Sequence, residues 1–285
     1  MSIFQSIILG IVQGAGEFFP ISSTAHLIVI PYFFRWPDPG LGFDVALHLG
    51  TLVALLAFFF WDWIAIIYLA FFKNSKFLPR RQAGKIQNSK LQFKIEKFKI
   101  LYNPGLLWLI IIATIPGVVF GLLLEKKAET IFRNPLLVAV MLALMGLILF
   151  LVDKYFNARK DINKISLVDS IIIGFSQAVA IIPGVSRSGA TITAGRAMGI
   201  NRVDAARFSF LLSAPIIFGA FILKLPKLFS EGININIILG IIFSALSGYL
   251  AIKYLLKLVE KSSYQIFFWY RLGLAALIVL VYLVR

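Results

Sequence analysis

Six stretches of the chain, residues 43–63, 105–124, 135–152, 203–224, 234–256 and 265–284, are apolar with few charges among them. A helix that crosses a bilayer needs about 20 mostly apolar residues. The third stretch is short but continuously apolar, and the first can run on as helix through Tyr68–Phe72. No soluble fold covers six such surfaces. Of the 285 residues 60% are hydrophobic and only 14% charged, against about 45–50% and about 25% in soluble domains. The same figures exclude a disordered chain. The absence of cysteine excludes a disulfide-stapled module and removes thiolate metal sites and cysteine nucleophiles. The expected fold class is all-α, a polytopic membrane protein forming a single membrane domain over 1–285.

Two further apolar segments, 3–31 and 168–200, are broken in the middle. The first break reads Gly14-Ala15-Gly16-Glu17-Phe18-Phe19-Pro20-Ile21-Ser22-Ser23-Thr24. The second reads Ile182-Pro183-Gly184-Val185-Ser186-Arg187-Ser188-Gly189. Irregular backbone at membrane depth survives only inside protein or beside a water-filled cavity. Kinks in ordinary spanning helices are the bland alternative. The polar residues at both breaks favour two re-entrant helix hairpins. Residues 1–12 lack the basic start and small-residue cleavage site of a signal peptide.

The net charge is +15, which in a soluble protein would point to nucleic acid. Here nine of the 28 Lys and Arg lie between Lys73 and Lys99, opposed only by Glu96. That is a solvated loop, and the positive-inside rule places 73–104 in the cytoplasm, so no nucleic-acid partner is expected. Six spans then put Lys154, Arg159, Lys160, Lys164, Lys257 and Lys261 on the same side. Arg35, the mixed charges of 125–134 and Lys227 fall outside, as do both termini. Three spans separate the hairpins, so they enter from opposite sides. That is an inverted-topology repeat, whose broken helices meet near the midplane. Repeat 1 covers about 1–152, with 73–104 as a basic insertion, and repeat 2 about 167–285. Gly10-Ile11-Val12-Gln13 resembles Gly174-Phe175-Ser176-Gln177, a weak trace of the duplication. Within the insertion, Leu91–Ile100 suits an amphipathic helix on anionic lipid or a plain linker.

Ionisable side chains at membrane depth are expensive and by default functional. Glu17 and His26 lie in or after the first break, Arg187 in the second, and Asp44 and His48 open the first span. Gln13 and Glu17 are one helical turn apart and can face one cavity. Ser22, Ser23 and His26 complete the first set, and Ser186, Ser188 and Thr191 surround Arg187 in the second. Backbone N–H groups at Gly184, Gly189 and the new helix start would face the same cavity. A helix N-terminus with an adjacent Arg and hydroxyls suits a phosphate. In a phosphoryl-transfer site Arg187 would hold phosphate oxygens, Ser23 or water would attack, and His26 would be general base or acid. Glu17 could hold a divalent cation such as Mg²⁺, with Gln13 as a neutral helper.

Each residue has a plainer reading. Glu17 and Arg187 could pair and lock the hairpins. Ser188 and Thr193 could satisfy freed carbonyls. His48 reads better as a satisfied core residue, and Asp44 as a helix cap. Arg196, Arg202 and Arg207 mark the cytoplasmic interface, and the aromatic run Phe58–Trp63 an interfacial belt.

Gln13-Gly-Ala-Gly-Glu17-Phe-Phe-Pro20-Ile-Ser22-Ser23-Thr24-Ala-His26 resembles the first signature of the BacA/UppP family of undecaprenyl-pyrophosphate phosphatases. Pro183-Gly-Val-Ser186-Arg187-Ser188-Gly189-Ala-Thr191 resembles the second. Phe43-Asp44-Val-Ala-Leu-His48-Leu-Gly50-Thr51 is similar to a third stretch typical of the family. The resemblance implies hydrolysis of undecaprenyl pyrophosphate to undecaprenyl phosphate and inorganic phosphate. That reaction recycles the lipid carrier of cell-wall synthesis and can confer bacitracin resistance. It implies Mg²⁺ or Ca²⁺ as cofactor and a polyprenyl pyrophosphate substrate among membrane lipids. It also implies a bacterial inner-membrane location with the site open to the outer side. By motif position Glu17 is the essential acid, Gln13 stands where the pattern accepts Glu or Gln, and His26 is the motif histidine. Ser22 and Ser23 are the paired hydroxyls, and Ser186, Arg187 and Thr191 bind phosphate. A homodimer is among the assemblies this reading allows. The rival class is an inverted-repeat transporter or flippase for phosphate or polyprenyl phosphate.

Overall fold

The structure is a computed structural model of the chain. It describes residues 1–37, 39–72, 102–129, 134–232 and 234–285. Apart from residues 102–104, the basic insertion lies outside the described residues, and so does the surface helix or linker at Leu91–Ile100.

Among the described residues there are eleven α-helices and no strand. They are α1 (Ile3–Phe18), α2 (Ser23–Phe34), α3 (Leu41–Phe58), α4 (Phe60–Phe72), α5 (Leu106–Glu129) and α6 (Pro135–Tyr155). After a 3₁₀ turn at Ile162–Lys164 come α7 (Leu167–Val179), α8 (Arg187–Ala197), α9 (Arg202–Glu231), α10 (Ile235–Lys261) and α11 (Gln265–Val284). Helices α5, α6, α9, α10 and α11 are each long and apolar enough to cross a membrane. Helices α3 and α4 qualify together, bent by 70° at their junction. The protein is therefore an all-α multi-pass membrane protein. Its outward side chains agree, among them Phe4, Leu123, Val140, Leu246, Trp269 and Leu283, all strongly exposed.

The helix starts are written locally. Ser2 and Ser166 each form a reciprocal capping box, with Gln5 and Asp169 respectively. Asn134 caps α6, with Pro135 at the first helical position. The bend was not expected. Phe59 leaves the helical region (φ −96°, ψ 21°) while its N–H still bonds the Leu55 carbonyl. Asp62 in the next turn meets the positive end of α4.

Both broken segments are helix pairs, with narrower breaks than the glycines suggest. Helix α1 continues through Gly14 and Gly16 to Phe18, so only Phe19–Ser22 interrupts it. The second interruption begins earlier, after Val179, and ends at Ser186. Glycine weakens a helix by only about 1 kcal/mol, and here it is needed for packing. Helix α1 lies chiefly on α10, and α7 on α5. A Cβ at Gly10 would stand 2.7 Å from the Gly240 carbonyl oxygen, and one at Gly174 2.6 Å from that of Ala113. At Gly14 it would meet Ser247 Oγ at 1.9 Å and the Ser244 carbonyl at 2.3 Å. Small residues let helices approach this closely in a membrane. Gly14→Ala is accordingly expected to lower thermal stability in detergent by about 1–3 kcal/mol through overpacking. Gly219→Ala, with nothing within 4 Å, should be neutral or stabilising. A Gly14→Ala protein that melts with the wild type would refute the close approach.

Candidate active site

The two breaks are built alike. Ser22 (φ 71°, ψ 93°) and Ser186 (φ 72°, ψ 120°) both have positive φ, uncommon for a residue with a Cβ. Each caps the helix that follows: Ser22 Oγ accepts from the Ala25 N–H at 3.4 Å, and Ser186 Oγ from the Gly189 N–H at 3.1 Å. The breaks also touch. The Gly184 N–H donates to Ser22 Oγ at 3.2 Å, and Ser188 Oγ donates to the Phe19 carbonyl at 3.2 Å. Thus the Gly184 and Gly189 N–H groups, expected to face the cavity, are taken by the serines.

Broken helices leave carbonyls without partners, and Arg271 of α11 collects several of them. Its guanidinium is wholly buried. It donates to the carbonyls of Pro20 in the first break, Gly184 and Val185 in the second, and Met141 and Leu142 on α6. Sequence reasoning gave Arg271 no role. Its signal was present, a lone arginine inside an apolar span.

Glu17 and Arg187 meet across the breaks. Arg187 Nη2 donates to Glu17 Oε1 in direct contact. Glu17 Oε2 accepts from Ser23 Oγ at 2.7 Å and from Gln13 Nε2 at 3.1 Å. The turn spacing of Gln13 and Glu17 on α1 does place both on one side, as expected. A polar cavity of about 370 Å³ opens beside them, lined by Glu17, Ser22, Ser23, His48, Ser186 and Arg187, with Ile181, Ile216 and Ala220 as its apolar wall.

The two histidines are placed differently. His48 lines the cavity, with Nε2 3.8 Å from Glu17 Oε2. Its Nδ1 lies 2.7 Å from the Asp44 carbonyl. A carbonyl only accepts, so Nδ1 carries the proton and a neutral His48 turns the Nε2 lone pair toward Glu17. His26 is buried. Its Nδ1 holds the Ser22 carbonyl at 2.7 Å, and by the same logic Nε2 accepts from the Tyr270 hydroxyl at 2.7 Å. The rings of His26 and Tyr270 stack. His48, read from sequence as a satisfied core residue, has its Nδ1 satisfied and also stands on the cavity wall. A polar residue one turn into an apolar span was the available signal.

The remaining expected residues serve as supports. Thr191 Oγ1 donates to the Arg187 carbonyl at 2.8 Å and shares a 2.7 Å hydrogen bond with Ser209 Oγ on α9. Ser188 Oγ is also 3.2 Å from Ser186 Oγ. Thr193 bonds the Gly189 carbonyl at 2.6 Å. Away from the site, Arg196 and Arg202 both hold Asp153, at 3.0 and 2.8 Å. Arg207 lies 3.6 Å from Asp62.

No group of three or more His, Asp or Glu suited to a metal is found among the described residues. The donor set is one carboxylate, Glu17, with the fully buried Gln13 below it, whose Oε1 has no hydrogen-bond partner. Of the two only Glu17 borders the cavity, so a hard cation there would draw its other ligands from phosphate and water. The set does not make an all-protein cage.

Comparison with known proteins places this arrangement in a lineage. A family profile described as "Bacitracin resistance protein BacA" matches residues 6–277. The chain is 50% identical over 285 residues to an undecaprenyl-diphosphatase of Moorella thermoacetica, covering 100% of both chains. It is 47% identical over 280 residues to one of Pelotomaculum thermopropionicum, covering 98% of this chain and 97% of the relative. It is 43% identical to one of Desulforudis audaxviator over 285 residues, again 100% of both. With the profile spanning both breaks and the relatives aligned end to end, the chain belongs to the BacA family.

Proposed function

We propose that the protein is an integral-membrane phosphatase that hydrolyses undecaprenyl pyrophosphate to undecaprenyl phosphate and inorganic phosphate, returning the lipid carrier to cell-wall synthesis. The observation that carries this reading is the contact of Glu17, Ser23 and Arg187, drawn from two breaks 170 residues apart in the chain. Phosphoryl transfer is catalysed mainly by positioning and charge neutralisation. The terminal phosphate takes Arg187 from Glu17. Ser23 Oγ, already donating its proton to Glu17, attacks that phosphorus. The bridging P–O bond breaks, and undecaprenyl phosphate leaves. Water attacking the phosphoserine then releases inorganic phosphate. A water in place of Ser23 reaches the same products through the same base. His48 passes the proton on from Glu17. His26 fixes the Ser22 carbonyl, and the Tyr270 hydroxyl at Nε2 holds its ring in place.

Glu17, with Gln13 as a neutral helper behind it, would hold a Mg²⁺ or Ca²⁺ ion, which when bound supplies further neutralisation of pyrophosphate charge. The bacterial inner membrane is the expected location, with the site open to the outer side and 73–104 cytoplasmic. We read the two halves as an inverted repeat with re-entrant pairs α1–α2 and α7–α8. The like conformations of Ser22 and Ser186 support this. So does the exchange of packing partners, α1 on α10 and α7 on α5, through Gly10 with Gly240 and Gly174 with Ala113.

The test is phosphate release from undecaprenyl pyrophosphate in detergent with Mg²⁺ or Ca²⁺. Ser23→Ala is expected to reduce kcat by about 10²-fold or more. His48→Gln should reduce it less. No release from well-folded wild type with any cation would sink the phosphatase, and the transporter reading, binding without release, would replace it.

A further inference from the structure

Next to the polar cavity runs a second, apolar groove of about 260 Å³. The two are continuous, sharing Ala180, Ile181, Arg187, Ile216 and Ala220. Its walls are α5 and α9, and α7 closes its inner end. The groove exists because side chains are missing. Gly121 on α5 and Gly219 on α9 line it, and a Cβ at either would meet no atom within 4 Å. Gly10, Gly14 and Gly174 are explained by close helix approach, but these two are not. What they supply is room.

The inner end holds Gln177, the counterpart of Gln13 in the second half. Its side chain is 4% exposed. Neither Nε2 nor Oε1 has a hydrogen-bond partner. The amide lies flat against α5, where a Cβ at Gly117 would come within 2.5 Å of Nε2. An unpaired buried amide is costly, and natural structures rarely keep one unless a ligand or another partner satisfies it. An occupant must therefore be apolar along most of the groove and polar where it meets Gln177 and Arg187, with Lys224 also on the lining. The head of such a molecule already has a place, in the phosphate cavity.

We infer that the groove between α5 and α9 seats the first isoprene units of the substrate, with Gln177 hydrogen-bonding the phosphate that carries the prenyl chain. The inference rests on the phosphatase reading and adds to it a tail site. Its volume suits the start of a prenyl chain, and the rest of the tail continues into the bilayer. Gln177 thus marks the junction between head and tail, with Arg187 lining both cavities.

Because a Cβ at Gly121 or Gly219 meets no atom within 4 Å, a leucine there projects into the groove's own space. Gly121→Leu and Gly219→Leu are compared with Gly273→Leu, which fills equally open space on α11 away from the groove. The groove variants should raise KM for undecaprenyl pyrophosphate about ten- to a hundredfold, as steric and methylene-scale misfits do, with kcat largely kept. Inhibition by inorganic pyrophosphate, a head without a tail, should stay unchanged, and Gly273→Leu should change neither. Gln177→Leu should raise KM as well while raising thermal stability, since it removes an unpaired amide. An unchanged lipid KM in both groove variants overturns the tail site. A parallel loss of pyrophosphate inhibition also overturns it, by tracing the effect to the phosphate cavity. Lowered stability in Gln177→Leu overturns the role of Gln177. If wild type releases no phosphate, the activity reading fails by itself. Binding of undecaprenyl phosphate to the same proteins, followed by native mass spectrometry, then decides: weaker binding in the groove variants supports the site, and equal binding overturns it.

Discussion

Arg187→Ala is expected to slow phosphate release from undecaprenyl pyrophosphate by about 10³–10⁵-fold, the range seen when an arginine that neutralises a transferring phosphoryl group is removed. Two effects overlap in this variant, and they can be separated. The first is chemical, because the planar fork that would hold phosphate oxygens is gone. The second is structural: Glu17 is buried, and removing its cation leaves an unpaired carboxylate, a loss of about 3–5 kcal/mol for a buried pair. The double variant Arg187→Ala with Glu17→Gln removes that unpaired charge. It should recover much of the thermal stability and none of the activity. Arg187→Lys keeps the charge without the bidentate fork and should fall between. Phosphate release by Arg187→Ala within tenfold of wild type would show that the cation does not meet the reacting phosphate.

Arg271→Leu should have the largest effect on stability. The guanidinium reaches five carbonyls on three parts of the chain, α6 and both breaks. Leucine matches part of its bulk and supplies no donor. Each buried acceptor left unsatisfied costs about 1–3 kcal/mol. Not every loss will be felt in full, since the breaks can relax, but a total of about 3–5 kcal/mol is expected. Thermal unfolding in detergent measures it. Activity should fall with stability, because both helices that start at the site begin where Arg271 holds the backbone. Arg271→Lys should rescue little, since one ammonium cannot span the same set of carbonyls. A melting temperature for Arg271→Leu within a degree or two of wild type would mean that the breaks are held by other contacts.

Spans were legible because length and hydropathy suffice to define them; α11 begins and ends where the apolar run 265–284 does. The chemistry of the breaks was legible too, since Glu17, Ser23 and Arg187 are expensive or unusual at membrane depth. Their limits were not. Gly14 and Gly16 read locally as helix breakers, yet Ser244 and Ser247 on a helix more than 200 residues away leave no room for a Cβ at 14, and the backbone of Ser23 leaves none at 16. The bend at Phe59 interrupts a run of phenylalanines with no proline or glycine, so nothing local announces it. The Gln13–Glu17 bond follows from helical spacing alone. The Glu17–Arg187 pair and the tie of His26 to Tyr270 are tertiary; a single sequence offered the first only as an alternative and held no sign of the second. The place of His48 on the cavity wall was not legible because its neighbours in sequence are mostly apolar; the polar groups around it come from α1 and the two breaks.

The clasp between Glu17 and Arg187 has a bearing on turnover. The group that must receive the phosphate is already occupied by an anion belonging to the protein. Glu17 is in effect a tethered competitor, present at high local concentration and never diffusing away. A ligand displaces it more readily the more negative charge it brings to Arg187. Pyrophosphate, with two phosphoryl groups, brings the most. After cleavage the charge is divided between two products, each weaker as a rival, and the carboxylate can close back on the arginine. Product expulsion would then be driven by the same ion pair that keeps the resting site shut.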